Sequence, residues 1–195
     1  MDPLRRGQAR GVTLRLAQSA SDESADVGGR PRFPELFEQH APYVWTTLRR
    51  LGAQARELDD LTHEVFIQIF RHLEQYDPRR PIKPWLFGFV LRIASEHRRR
   101  GPHRVEVLSE PEVVDATPSP VERLLAEERR QLAWAALEQL ELKRRAVFIL
   151  HEIDGYPIPD VAEALGVPLA TAYSQLRLAR QDFSKAARRM RSRQR

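Results

Sequence analysis

The sequence of 195 residues contains no cysteine. Disulfides, thiol switches and cysteine-ligated zinc are excluded with it, and the expectation is a cytoplasmic protein. Lysine is scarce. It stands only at Lys83, Lys143 and Lys185, so arginine supplies 29 of the 32 basic residues. Long hydrophobic runs are missing too. The longest, Trp85 to Leu91, falls far short of the ~20 residues a bilayer span needs. The basic N-terminus is not followed by the apolar segment of a signal peptide. The six histidines show no metal-ligand spacing, and the stretch HEIDG from His151 places Gly155 where a zinc-binding helix would need its second histidine. No phosphate-cradling glycine loop and no nucleophile elbow is present. The expectation is a chain without catalysis, metal or cofactor, and without direct membrane insertion.

What is present points to a polyanion. The chain is 42% hydrophobic and 30% charged, a globular composition. Its net charge is +5 and its pI about 10.0, which suits nucleic acid. Arginine's planar fork fits phosphate and guanine edges, although a GC-rich codon preference yields the same bias. The charge is segregated. Val105 to Glu122 carries Glu106, Glu110, Glu112, Asp115 and Glu122 with no Lys or Arg, while Ser184 to Arg195 carries six basic residues and no acid.

The pattern along the chain predicts an all-α protein in two small helical domains joined by a flexible acidic linker. Residues 1–32 read as a disordered tail, in which the alternation of Val12, Leu14 and Leu16 is the one hint of a docking strand. Residues 33–100 read as the first domain. Leu58, Leu61, Val65, Ile69 and Leu73 recur at three- and four-residue steps and mark one apolar helical face. YDPRRPIKP, residues 76–84, reads as a break, and a second helix starts at Trp85. Residues 101–119 form the linker. Ser119, Pro120 and Glu122 fit a capping box opening the second domain, 120–189, and residues 190–195 read as a basic tail.

VAEALGVPLATAYSQLRLAR, from Val161, has the form of a helix-turn-helix. Ala162 lets a second helix cross closely, and Gly166 supplies the turn. Ala172, Leu176, Ala179 and Phe183 share one side and should pack inward. Ala170, Tyr173, Ser174, Arg177 and Gln181 point away, with Arg180 at the flank. Such an exposed face enters the major groove, where Arg177 addresses guanine or phosphate and Ser174 a base or the backbone. A plain helical hairpin with a solvated basic face would have the same spacing.

DDLTHEVFIQIFRHL from Asp59 and PWLFGFVLRIASEHRRR from Pro84 resemble region 2 of bacterial sigma factors. LELKRRAVFILHEIDGYPIPDVAEALGVPLATAYSQLRLAR resembles region 4. Both in that order, with no region 3 between them, resemble the extracytoplasmic-function (ECF) group. The resemblance implies core RNA polymerase as partner, through the β′ clamp helices and the β flap, together with promoter DNA and an anti-sigma factor. It implies polymerase binding by Asp60, His63 and Glu64, within an acidic stripe that begins at Glu57. It implies a hold on the melted −10 element by Trp85, Arg92, Ser95, Glu96 and Arg99, on a polar stripe that includes Gly88. It implies reading of the −35 duplex by Ala170, Tyr173, Ser174, Gln175, Arg177 and Arg180. His63, Arg92, Gln175 and Tyr173 depart from the family's usual residues, so base preference does not carry over. Each set has a bland counterpart: a solvated acidic face, or core packing for Trp85, Phe87 and Phe89. The alternative function is a stand-alone helix-turn-helix regulator.

The linker adds a mechanical expectation. A relaxed coil of that length averages about 25 Å end to end and reaches about 60 Å extended. Promoter elements one to two DNA turns apart are separated by about 35 to 70 Å, so simultaneous engagement stretches the linker and calls for a scaffold that holds it.

Overall fold

The computed structural model describes residues 31–100 and 130–193, and among these it is built from helices without a strand. The N-terminal tail, the acidic linker and the capping box at Ser119 lie outside the described residues. Helix α1 runs Phe33–Arg50, α2 Leu58–His72 and α3 Ile82–Arg100. Helix α4 covers residues 130–138, followed by α5 Leu142–Phe148, a π turn Ile149–Ile153, α6 Ile158–Ala164 and α7 Leu169–Arg193.

Local chemistry sets most of these boundaries. Asp59 and Asp60 open α2 and Arg71 and His72 close it, so charges of both signs complement the helix dipole. Before α2, Gln54 and Glu57 form a reciprocal capping box around a 3₁₀ turn. Helices α1 and α6 end alike. Gly52 N–H donates to the Arg49 carbonyl at 2.9 Å and Ala53 N–H to that of Leu48 at 3.1 Å; Gly166 and Val167 repeat the pattern on Glu163 and Ala162, each at 3.0 Å. These are Schellman closures, and their glycines take the positive φ that closure requires, 101° at Gly52 and 63° at Gly166. Helix α3 begins at Ile82 rather than at Trp85. A proline costs nothing in a first turn whose N–H groups have no helical acceptor, so Pro84 sits inside the helix. Helix α7 continues through Arg193, past residue 189 where the sequence suggested a tail.

In the first half α1, α2 and α3 pack on one another, and in the second α5 and α6 each pack on α7. The apolar face read from the sequence is real: Leu58, Leu61, Val65 and Ile69 are buried, with Leu73 at its edge. Phe87 is wholly buried and belongs to the core. The two halves share one apolar cluster, in which Leu36, Leu86 and Val90 are continuous with Leu150, Val161 and Ala172.

Polar contacts also join the halves. Tyr43 of α1 donates its hydroxyl to Asp154 at 2.9 Å, and Arg50 pairs with the same carboxylate at 3.3 Å. Arg80 pairs with Glu163. Arg49 lies over the Trp134 ring at 5.1 Å. Helix α6 rests on α3, where a Cβ on Gly88 would stand 3.3 Å from the Ala164 carbonyl. Arg145, buried in α5, donates to the carbonyls of Glu138 and Leu140 and so ties down the end of α4. Burial lowers its pKa to about 10, with Arg98 of α3 adding to the effect.

Candidate nucleic-acid and polymerase interfaces

Helix α2 buries one side and offers the other. Asp60 and His63 are exposed and Glu64 is half-buried, one turn apart on the outward face. Glu57 does not join them. Its carboxylate accepts the Gln54 backbone N–H at 3.2 Å and faces His97 Nε2 at 3.1 Å, so it closes the helix start rather than facing outward. The same face continues into Ile67 and Phe70, 51% and 62% exposed. Two large apolar groups below an acidic pair form a mixed surface of the kind that partners cover. Their spacing, four residues from His63 to Ile67 and three more to Phe70, was readable in the sequence. The sign of their exposure was not.

On α3, Trp85, Gly88, Arg92, Glu96 and Arg99 fall along one line because their spacings follow whole helical turns. Arg92 and Arg99 are exposed, while Ser95 and Glu96 are half-buried. Glu96 pairs with Arg92 at 3.2 Å and reaches Arg100 at 3.9 Å. The Ser95 hydroxyl donates to the Leu91 carbonyl at 2.6 Å. Trp85 is half-buried, 5.0 Å from Tyr76 and 4.9 Å from Phe89. The stripe thus has an aromatic end, where α6 approaches at Gly88, and an open arginine end.

Helix α7 sits as its spacing predicts. Ala172, Leu176 and Ala179 are buried, and Phe183 stacks on Phe148 at 4.8 Å. Ala170, Tyr173, Ser174, Arg177 and Arg180 are exposed together. Gln175 stands apart: it is half-buried and its Oε1 is enclosed without a hydrogen-bond partner. Arg180 bonds Glu152 of the π turn at 2.6–2.7 Å. That acid went unnoticed in the sequence because it lies 28 residues from its arginine. A shallow groove beside the helix is lined by His151, Pro157, Ile158, Tyr173, Arg177 and Arg180. Cations over an open apolar floor suit a phosphodiester backbone.

At the junction of the halves, burial pushes the Asp154 carboxyl above its usual value, while Arg50, Tyr43 and Lys83 pull it back. Burial and Asp154 together push the Tyr43 hydroxyl well above its own. Among the described residues no cluster of His, Cys, Asp and Glu could hold a metal ion, and no helix is long and apolar enough to cross a membrane.

Comparison with known proteins agrees with this layout. The model of sigma-70 region 2 matches residues 36–102, and that of sigma-70 region 4 matches residues 130–183. The ECF RNA polymerase sigma factor SigE of Mycolicibacterium smegmatis is 33% identical over 167 residues, 83% of this chain; the match spans 64% of SigE, less than two thirds of its length. SigL of Mycobacterium tuberculosis, another ECF sigma factor, is 28% identical over 145 residues, covering 74% of this chain and 82% of SigL. The solved structure of the sigma factor RpoE from Bartonella quintana, in complex with the anti-sigma factor NepR, superposes with a TM-score of 0.63 at 18% identity, covering 80% of this chain and 96% of RpoE. A region 2 helical bundle followed by a region 4 helix-turn-helix, with ECF relatives along most of its length, makes this chain a member of the sigma-70 family, in its extracytoplasmic-function group.

Proposed function

We propose that the chain is a promoter-specificity subunit of RNA polymerase, acting by binding and not by catalysis, in the cytoplasm. The observation that carries the reading is the pairing of two unlike surfaces in one chain: an acidic and apolar face on α2, and an arginine-bearing helix-turn-helix on α7. Asp60, His63 and Glu64, joined by Ile67 and Phe70, dock onto the β′ clamp helices; the second domain meets the β flap. Trp85, Arg92, Ser95, Glu96 and Arg99 hold the opened −10 element. Arginine takes phosphate charge and the aromatic end offers a stacking platform. Opening DNA needs no bond chemistry, only binding energy spent on unstacked bases. Ala170, Tyr173, Ser174, Arg177 and Arg180 read the −35 duplex, with Gln175 at the edge of that face. The domains are residues 33–100 and 120–189, with the acidic segment 101–119 between them in sequence. An anti-sigma factor regulates the chain, as a regulator is seated on the Bartonella relative.

The test is run-off transcription with purified core polymerase on genomic promoter fragments. Specific starts are expected only when chain and core are both present. Tight, sequence-specific duplex binding by the chain alone, with no transcription on adding core, would favour the stand-alone regulator instead.

A further inference from the structure

We propose that the N-terminal segment of the chain, Arg6 to Leu16, docks as an extended strand along the exposed face of α2 and occupies it in competition with RNA polymerase. The competition rests on the polymerase-docking reading of that face; the docking itself does not.

The exposed face of α2 has an order. Asp60 and Glu64 stand toward its start, and the large apolar groups Ile67 and Phe70 toward its end. From Asp60 to Phe70 the face runs about 15 Å along the axis. Arg71 is the one arginine on the helix. The point where the chain enters the described part lies beside the apolar end. Phe33, the first residue of α1, packs edge-on against Phe70 at 5.0 Å and against Phe66 at 6.3 Å. Residues 1–30, outside the described part, therefore join the fold at the rim of this patch. An exposed apolar pair beside an attached segment with apolar groups of its own has a covering partner within reach.

The segment repeats the order of the face. At the two-residue period of an extended strand, Arg6, Arg10, Val12, Leu14 and Leu16 share one side, cations first and apolar groups last. Residues 1–20 hold four arginines against one acid, and Asp22, Glu23 and Asp26 come only afterwards. Laid along α2, the arginines meet Asp60 and Glu64 while Leu14 and Leu16 cover Ile67 and Phe70. Arg10 to Leu16 spans about 20 Å as a strand, comparable to the helical face. The direction agrees as well: the apolar end of the segment is the end nearer its attachment, and the apolar end of the face is the end nearer Phe33. Leu16 and Phe33 stand 17 positions apart, a relaxed span of about 23 Å, which covers the return. A tether of that length holds the segment at about millimolar effective concentration. A contact of only millimolar affinity is then half occupied.

The cysteine-free sequence makes the test clean. In the nitrogen-15-labelled full chain, a nitroxide on Thr13→Cys sits on the side of the strand turned away from α2. It should broaden the amide signals of residues 60–71 and leave those of α7 sharp. Arg6→Glu with Arg10→Glu should abolish the broadening, and high salt should reduce it. An α2 that stays sharp overturns the docking. A mixture of spin-labelled, unenriched chain with enriched chain lacking the label should show no broadening; broadening there assigns the face to a second copy and overturns it too. In parallel, deleting residues 2–17 should tighten binding to core polymerase at least about twofold, as should Arg6→Glu with Arg10→Glu. Unchanged affinity for core, with broadening that responds to the substitutions, upholds the docking and overturns the competition. Failure of every form to bind core, with the broadening intact, counts against the sigma-factor reading and supports the docking.

Discussion

Replacing Gly52 by alanine should destabilise the fold more than the same change at Gly166, and the difference measures how firmly Arg145 is held. Both glycines close a helix by the same hydrogen-bond pattern and both take positive φ. Alanine in that region costs about 1–2 kcal/mol. At Gly166 nothing lies within 4 Å of the new Cβ, so strain is the whole cost. At Gly52 the new Cβ would stand 2.9 Å from Arg145 Nη1. The end of an arginine usually swings aside cheaply. This one is 3% exposed, and its Nη2 is committed to the Glu138 and Leu140 carbonyls. Displacing it leaves a buried carbonyl short of a donor, at about 1–3 kcal/mol. The excess of G52A over G166A should therefore be about 1–3 kcal/mol, roughly 1 M in urea midpoint. Equal midpoints for the two variants would refute the claim that Arg145 is fixed.

Glu152→Gln frees Arg180. An exposed pair is worth ~0–1 kcal/mol, so holoenzyme should bind promoter DNA up to about fivefold more tightly and with a steeper salt dependence; a filter-binding salt series checks both. Reversing charge with Asp60→Arg or Glu64→Lys should weaken binding to core polymerase at least tenfold at low ionic strength and less at high, measured by competition against a labelled chain. Glu57→Gln should leave that affinity nearly intact and lower thermal stability instead, since Glu57 faces Gln54 and His97. The Asp154 carboxyl is raised above 3.8 by burial. The folded chain therefore binds a proton there more tightly than the unfolded chain. The stability this group contributes should be full below its ordinary value and fall away as pH rises through the raised one, as followed by urea midpoints across pH, with Asp154→Asn flattening the profile.

The parts legible in the sequence were those with a local period. Leu58 to Ile69 and Ala172 to Ala179 announced their helices and their buried sides because i, i+3 and i+4 repeats depend only on helical geometry. The corner at Gly166 was legible for the same reason. The start of α3 was hidden by Pro84, which reads as a breaker although a first turn accepts it. Side-chain commitments between distant segments left no local trace. Nothing near Glu57 indicates that His97 will meet it, and nothing near Tyr43 indicates Asp154. The Asp60, His63 and Glu64 set came from likeness to a family, and it missed Ile67 and Phe70, whose spacing fits the helix but whose exposure is decided by tertiary packing.

The inner side of α7 sets the alanines at 172, 179 and 186 around Leu176 and Phe183, and its outer side carries Tyr173, Ser174, Arg177 and Arg180. The alanines let the backbone approach closely while Leu176 and Phe183 fix the seat. Substitutions outside therefore leave the seat undisturbed. Under the proposed reading of the −35 duplex, exchanging Tyr173, Ser174 or Arg177 changes what is bound without touching the packing, whereas a bulkier residue at Ala172 or Ala179 would lift the whole helix away from its support.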